Sequence, residues 1–208
     1  MLNLKSPTYL QAIILLLIAM VSVQSSGALA KVLFEHFPVL TISAMRLLIG
    51  SLILAIIFKI WQTDFTQVRW KAIISYGFAL AGMNALFYLS IQRLPLGIAV
   101  SFEFIGPLSV ALFHARQKFD FIWVGLAILG LVLLFPFDKA SQSLDPIGIA
   151  FALGAGACWA LYIIAGQRPT GVSGNHTVCL GMFVGMLCLI PIALFIGMPV
   201  TVFEPSNF

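Results

Sequence analysis

Apolar residues fill this chain in seven runs, and the polar residues gather in the short stretches between them. The runs cover Tyr9–Phe34, Leu40–Ile60, Lys71–Gln92, Gly97–His114, Phe121–Phe137, Pro146–Gly166 and Thr177–Gly197. Each is near the ~20 residues that a helix needs to cross a bilayer. The connections carry the breakers: Pro38, Leu94-Pro95, the stretch from Asp138 to Pro146, and Arg168-Pro169-Thr170-Gly171. None is long enough for a soluble domain. The pattern predicts an all-α integral membrane protein, a helical bundle of about seven transmembrane helices whose first partner is the lipid bilayer.

The first run has a second reading. Lys5, an apolar stretch and then Ala28-Leu29-Ala30 have the layout of a secretory signal with a small-residue cleavage site. The stretch is longer than a usual signal core, and Ser22, Gln24, Ser25 and Ser26 interrupt its second half. Retention as a helix is therefore the expectation, and a mature N-terminus at Lys31 would overturn it.

Composition agrees with the pattern. The chain is 61% hydrophobic and 9% charged, against ~25% charged in soluble domains. The net charge of +4 does not point to nucleic acid, because the basic residues are scattered among apolar runs, where they act as topology determinants. With the N-terminus cytoplasmic, Lys5, Lys59, Arg69, Lys71, Arg116, Lys118 and Arg168 fall inside, and Lys31, Arg93 and Lys139 outside. That excess on one face favours N-terminus in, and an odd number of crossings puts the C-terminus outside. Cys158, Cys179 and Cys188 all lie in apolar runs with no Cys-x-x-Cys, and read as small buried residues rather than a disulfide or metal set.

Polar residues within the runs then become the informative ones. Counting from the Leu94-Pro95-Leu96-Gly97 turn, Asn84 lies about 15 Å and Glu103 about 12 Å into the apolar hairpin. Both are near the midplane of a core ~30 Å thick. A carboxylate there is costly and marks a substrate or proton path. The alternative is a neutral carboxyl bonded to a neighbouring helix. Pro107 has no N–H, so the Glu103 carbonyl loses its helical partner, and Gly106-Pro107 marks a helix break at the site. Asn84 and Tyr88, four apart, share a face; they line the same cavity or serve as interhelical glue. Gln24, at similar depth among small polar residues, suits a cavity wall or close packing. Trp159 and Tyr162 follow Gly154-Ala155-Gly156-Ala157, and Trp159 lies deeper than an interfacial belt would place it. Arg46 is about 9 Å into its run; snorkelling outward is the cheaper reading, with pairing to a carboxylate such as Glu35 the other. Lys31 reads as snorkelling too.

The histidines, His36, His114 and His176, sit at run ends and form no i, i+4 pair, so no metal is expected. A Gly-rich phosphate loop and a Gly-x-Ser-x-Gly elbow are both missing, so neither a cofactor nor an enzyme is expected.

A weak internal repeat is present. Gly50-Ser51-Leu52-Ile53-Leu54 matches Gly185-Met186-Leu187-Cys188-Leu189, and the first and sixth runs align at nearly the same offset. Residues 1–138 then form a five-helix unit, and residues 139–208 hold the first two helices of a second copy. An odd unit repeats in opposite orientation, the inverted-repeat design of many transporters. On this reading the second copy stops early, so the chain is expected to be a fragment, a frameshifted product or one part of a larger assembly.

Leu94-Pro95-Leu96-Gly97-Ile98-Ala99-Val100, with Glu103-Phe104 and Gly106-Pro107-Leu108, resembles the threonine and homoserine exporters of the drug/metabolite transporter superfamily, EamA type. So do Gly82-Met83-Asn84, Phe87-Tyr88-Leu89-Ser90-Ile91-Gln92, and Ala152-Leu153-Gly154-Ala155-Gly156-Ala157-Cys158-Trp159-Ala160. The resemblance runs to about Gly197. It implies a bacterial inner-membrane secondary transporter that exports small amino acids by proton exchange. It also implies ten helices in two inverted repeats around a central cavity, three helices more than this chain carries. Glu103 would then be the proton or amine site, with Asn84, Tyr88, Gln24, Trp159 and Tyr162 along the path. Two other readings stand beside it: export of another metabolite or drug, or a non-transporting membrane protein that needs a partner chain or a homo-oligomer.

Overall fold

The computed structural model of the chain describes residues 9–34, 36–134 and 144–197, and these contain helices and turns with no strand. The helices are α1 (Tyr9–Leu33), α2 (Val39–Ile57), α3 (Trp70–Arg93), α4 (Leu96–Glu103), α5 (Ile105–His114), α6 (Lys118–Leu134), α7 (Pro146–Gly166) and α8 (Gly174–Gly197). With α4 and α5 taken as one crossing, they are the seven helical segments that the apolar runs predict. Five of the segments, α2, α3, α4–α5, α7 and α8, are long and apolar enough to span a membrane. α6 has 17 described residues, a length of ~26 Å. The protein is a multi-pass membrane helical bundle.

The chain divides into two compact units, Met1–His36 and Phe37–Phe208. The first holds α1, whose described large side chains from Ile13 to Val32 are exposed, as a lipid-facing helix requires. Gln24 falls on this helix, and its side chain lies outside the described residues, as do those of Lys31 and Glu35.

The second unit is built around α3, which packs on α7, α8 and α2. Most of its buried positions, Ile73, Tyr76, Gly77, Leu80, Ala81, Asn84, Tyr88 and Ile91, follow a helical spacing that makes one broad face; the small Ala79 and Ser90 are buried as well, while Ile74 and Phe78 are exposed. Ala44 and Leu47 of α2, Leu80 and Ala81 of α3, and Met186 and Leu189 of α8 form the main apolar core. In lipid, close packing rather than water exclusion draws helices together, and small residues set the approach here. A Cβ on Gly77 would stand 2.7 Å from the Gly181 carbonyl oxygen, and one on Gly82 would stand 2.9 Å from the Cys158 sulfur. α6 packs on α4 and α5 and leaves Phe119, Trp123 and Leu133 exposed, a face suited to acyl chains.

The connections show which helix ends lie together. The Arg69 N–H donates to the Thr170 carbonyl at 2.8 Å. Gly171 adopts φ +81°, and a Cβ there would collide with the Gln67 carbonyl. Because a carbonyl only accepts, His176 Nε2 donates to Phe58 O at 3.0 Å, and its Nδ1 accepts from the Thr63 hydroxyl at 2.9 Å. The α2–α3 and α7–α8 connections therefore share one end of the bundle, the pairing that alternate crossings require. At the other end Arg93 of α3 bridges to Asp145 at 2.8 Å, and Ser90 Oγ donates to Gly148 O at 3.0 Å. Asp145 also caps α7 by accepting the Ile147 N–H, with Pro146 in the first turn. Held by the Arg93 guanidinium and then by that N–H, the Asp145 carboxyl lies below the usual carboxylate range.

The fourth crossing is broken. α4 ends at Glu103 and α5 begins at Ile105. Pro107 sits in the first turn of α5, where its missing N–H is tolerated, and the Leu108 N–H resumes the ladder by donating to Phe104 O at 3.0 Å.

Candidate functional site

Three polar side chains from α2, α3 and α4 meet a fourth in the middle of the second unit. On α3, Asn84 Nδ2 donates to the Leu80 carbonyl at 2.9 Å, which fixes the amide and turns Oδ1 outward from the helix. Arg46 of α2 reaches that oxygen, its Nη1 donating at 3.2 Å, and the same nitrogen donates to the Tyr88 hydroxyl at 3.1 Å. The guanidinium carbon lies 5.8 Å from the centre of the Tyr88 ring, within cation–π reach. Asn84 and Tyr88, one turn apart, thus hold one cation between them.

Glu103, the last residue of α4, is buried, with 7% of its surface exposed. Arg46 acts on it electrostatically, yet the two make no direct ion pair; among the described residues the one such pair is Arg93–Asp145. Glu103 makes no hydrogen bond to another described residue either. Its carboxylate oxygens are nevertheless not sealed in: the buried side-chain oxygens without a partner, among the described residues, are those of Thr41 and Ser43. A charge at the centre of a membrane helix costs about 3 kcal/mol on insertion scales, and here a guanidinium and a buried carboxyl lie near each other without a direct ion pair.

The helix break supplies the wall. A Cβ on Gly156 of α7 would stand 2.5 Å from the Glu103 carbonyl oxygen, and one on Gly106 would collide with the Gly156 carbonyl. The freed carbonyl of Glu103 therefore lies against a bare stretch of α7 rather than in lipid. Trp159, about one turn further along α7, meets Phe104 edge-on, with ring centres 5.0 Å apart and planes at 73°.

The six positions singled out in the sequence are thus divided. Asn84 and Tyr88 come together on Arg46, which also acts on Glu103; Gly106 and Pro107 lie in the first turn of α5, and Trp159 packs on Phe104 at the break. Tyr162 does not join them. Its hydroxyl pairs with that of Tyr76 at 2.7 Å, about 12 Å along α3 from Asn84. There the two rings line an open cavity of about 550 Å³ with Arg168, Thr170 and Thr177. Gln24 lies on α1 in the other unit.

Arg46 corrects the sequence reading. It does not snorkel outward, because Asn84 and Tyr88 offer acceptors deeper in the bundle. A signal was present: Ser43 and Gly50, at i−3 and i+4, place Arg46 on the small-residue face of α2, whereas Met45, Ile49, Leu52 and Ile53 form its exposed face. Among the described residues no three His, Cys, Asp or Glu side chains come close enough to hold a metal ion.

Comparison with known proteins places this geometry. Residues 10–135 match the EamA-like transporter family. The chain is 48% identical over 188 residues to the threonine/homoserine exporter RhtA of Escherichia coli (strain K12), an alignment covering 90% of this chain and 63% of that protein. It is 49% identical, over the same shares, to the protein of that name in Salmonella typhimurium. An uncharacterized transporter of Clostridium kluyveri is 28% identical over 80 residues, 36% of this chain and 26% of that one. The alignment therefore spans less than two thirds of the length of the curated exporters. No solved structure matches the chain.

Proposed function

Because this chain belongs to the EamA-like transporter family, we propose that it is a secondary transporter of the bacterial inner membrane. It exports small amino acids of the threonine/homoserine kind in exchange for protons. The observation that carries the reading is Arg46 held within the bundle by Asn84 and Tyr88, with the buried carboxyl of Glu103 in its electrostatic reach at the end of α4. Charged groups at such depth mark ion and substrate paths, and irregular backbone is tolerated in a membrane where it lines a cavity. Glu103 serves as the titrating group or the partner of a substrate amine. Asn84 and Tyr88 line the path with Trp159 at its wall, and Tyr162 belongs to its approaches. The N-terminus is cytoplasmic, as the basic residues favour, and residues 139–208 begin an inverted second repeat. Kinship with the threonine/homoserine exporters of Escherichia coli and Salmonella typhimurium supports the substrate class.

The test is threonine export from loaded cells that lack their own exporters and express the chain, with and without a proton gradient. Export that depends on the gradient and is lost in Glu103→Gln, with insertion intact, is the expected result. Normal export by that variant removes Glu103 from the mechanism. A stable, inserted chain that exports nothing favours the reading in which a partner chain or a second copy is needed. Export of other solutes but not threonine favours a different metabolite or drug.

A further inference from the structure

Arg46 is bound through one corner only. Both of its hydrogen bonds come from Nη1, so Nη2 and Nε have no partner among the described residues. Neither nitrogen is among the sealed, unpartnered side-chain atoms, so both are open to a ligand. A guanidinium presents its donors as a planar fork that matches a carboxylate with two parallel bonds. Here Asn84 and Tyr88 fix one tip of that fork and leave the rest open. Glu103 is buried and makes no direct ion pair with Arg46, which acts on it electrostatically. The cluster therefore offers a guanidinium with open donors and, near it, a carboxyl with no hydrogen bond to another described residue.

We infer that Arg46 is the anchor for the carboxylate of the transported molecule, and that with Glu103 it selects a zwitterion, an α-amino acid bound by both of its charged ends. Asn84 and Tyr88 act through Arg46 as positioning residues, holding one corner of the fork in place. The inference rests on the exporter reading and deepens it by giving the substrate's carboxylate a partner.

The test is equilibrium binding of radiolabelled L-threonine to the chain in lipid nanodiscs, with unlabelled L-threonine and L-threoninamide as competitors. The amide keeps the amine and side chain and loses the carboxylate. The wild-type chain is expected to bind threoninamide about tenfold or more weakly than threonine, the range of a lost charged hydrogen-bond pair. Arg46→Gln is expected to bring the two affinities together, and Arg46→Lys, which keeps the charge without the fork, to restore part of the difference. A merely structural role would weaken both ligands alike and leave their ratio unmoved. Should the variants fail to fold, the wild-type comparison decides alone, and equal competition by the two ligands overturns the inference while leaving the exporter reading intact. A wild-type chain that binds neither ligand overturns the exporter reading, and this inference with it.

Discussion

Asn84 orients a cation without neutralising it, because its amide gives its N–H to the Leu80 carbonyl and its oxygen to Arg46. Asn84→Asp would replace that neutral acceptor by an anion at the same distance and close Arg46 into an ion pair. The expected outcome is a loss of threonine affinity of about tenfold or more, with the fold retained, read by ligand binding beside a melting curve. At this scale the sequence was informative for one helix at a time. Glu103, Asn84 and Tyr88 could be singled out by their depth within an apolar hairpin whose turn was plain. Arg46 departs from the snorkelling reading because the cost of burying a guanidinium depends on acceptors from another helix, here Asn84 and Tyr88. Tyr162 was grouped with Trp159 by proximity in sequence, yet three residues along a helix turned it toward Tyr76.

The fourth crossing shows how far an element can be read from its own residues. Pro107 identified the carbonyl that would lose its partner; the interruption falls at Phe104, between Glu103 and Ile105, while Gly106 and Pro107, where the sequence placed it, lie within α5. What lies against the break was not legible, since nothing in the α4–α5 sequence names Gly156 as its neighbour. That contact makes a prediction about elements. Gly106→Ala puts a methyl group into the backbone of α7 and should destabilise by the upper part of the ~1–3 kcal/mol range for overpacking. Gly125→Ala on α6, where the new Cβ meets nothing within 4 Å, should be neutral or stabilising by up to ~1 kcal/mol. Unfolding in detergent, followed by tryptophan fluorescence, compares the two. The α3–α7 end contact makes another. The Asp145 carboxyl is held below its ordinary value by Arg93, so its contribution is present above the normal carboxylate range and lost as pH falls through it. Asp145→Asn should lower the melting temperature slightly at pH 7, and the difference from wild type should shrink as pH falls below the usual carboxylate range.

At the scale of the molecule, hydropathy and breakers were enough for seven helical segments with ends within three residues of those observed. In a bilayer each crossing has to satisfy its own backbone, which is why local pattern carries so much. Which helices touch was legible only in outline, because glycine contacts such as Gly77 with Gly181 depend on the facing chain. The arrangement of charges yields a test of orientation. In intact cells a membrane-impermeant maleimide should label Gln92→Cys, at the end of α3 near Arg93, and should reach Thr66→Cys, on the α2–α3 connection, only after permeabilisation. The reverse labelling would invert the topology proposed for the chain.

The contacts at the two ends of α3 and α7 have a mechanical meaning. Arg69 and Thr170 tie the pair at one end, Arg93 and Asp145 at the other, and Ser90 with Gly148 adds a rivet just inside. Two rods fastened at both ends cannot slide or splay without breaking a fastening, so they form a beam. The fourth crossing is fitted to that beam by bare glycine backbone at Gly106 and Gly156. Its own ladder lacks the rung that Pro107 cannot supply, and Glu103 owns the carbonyl left over, so the carboxyl sits where this crossing has least holding it to itself.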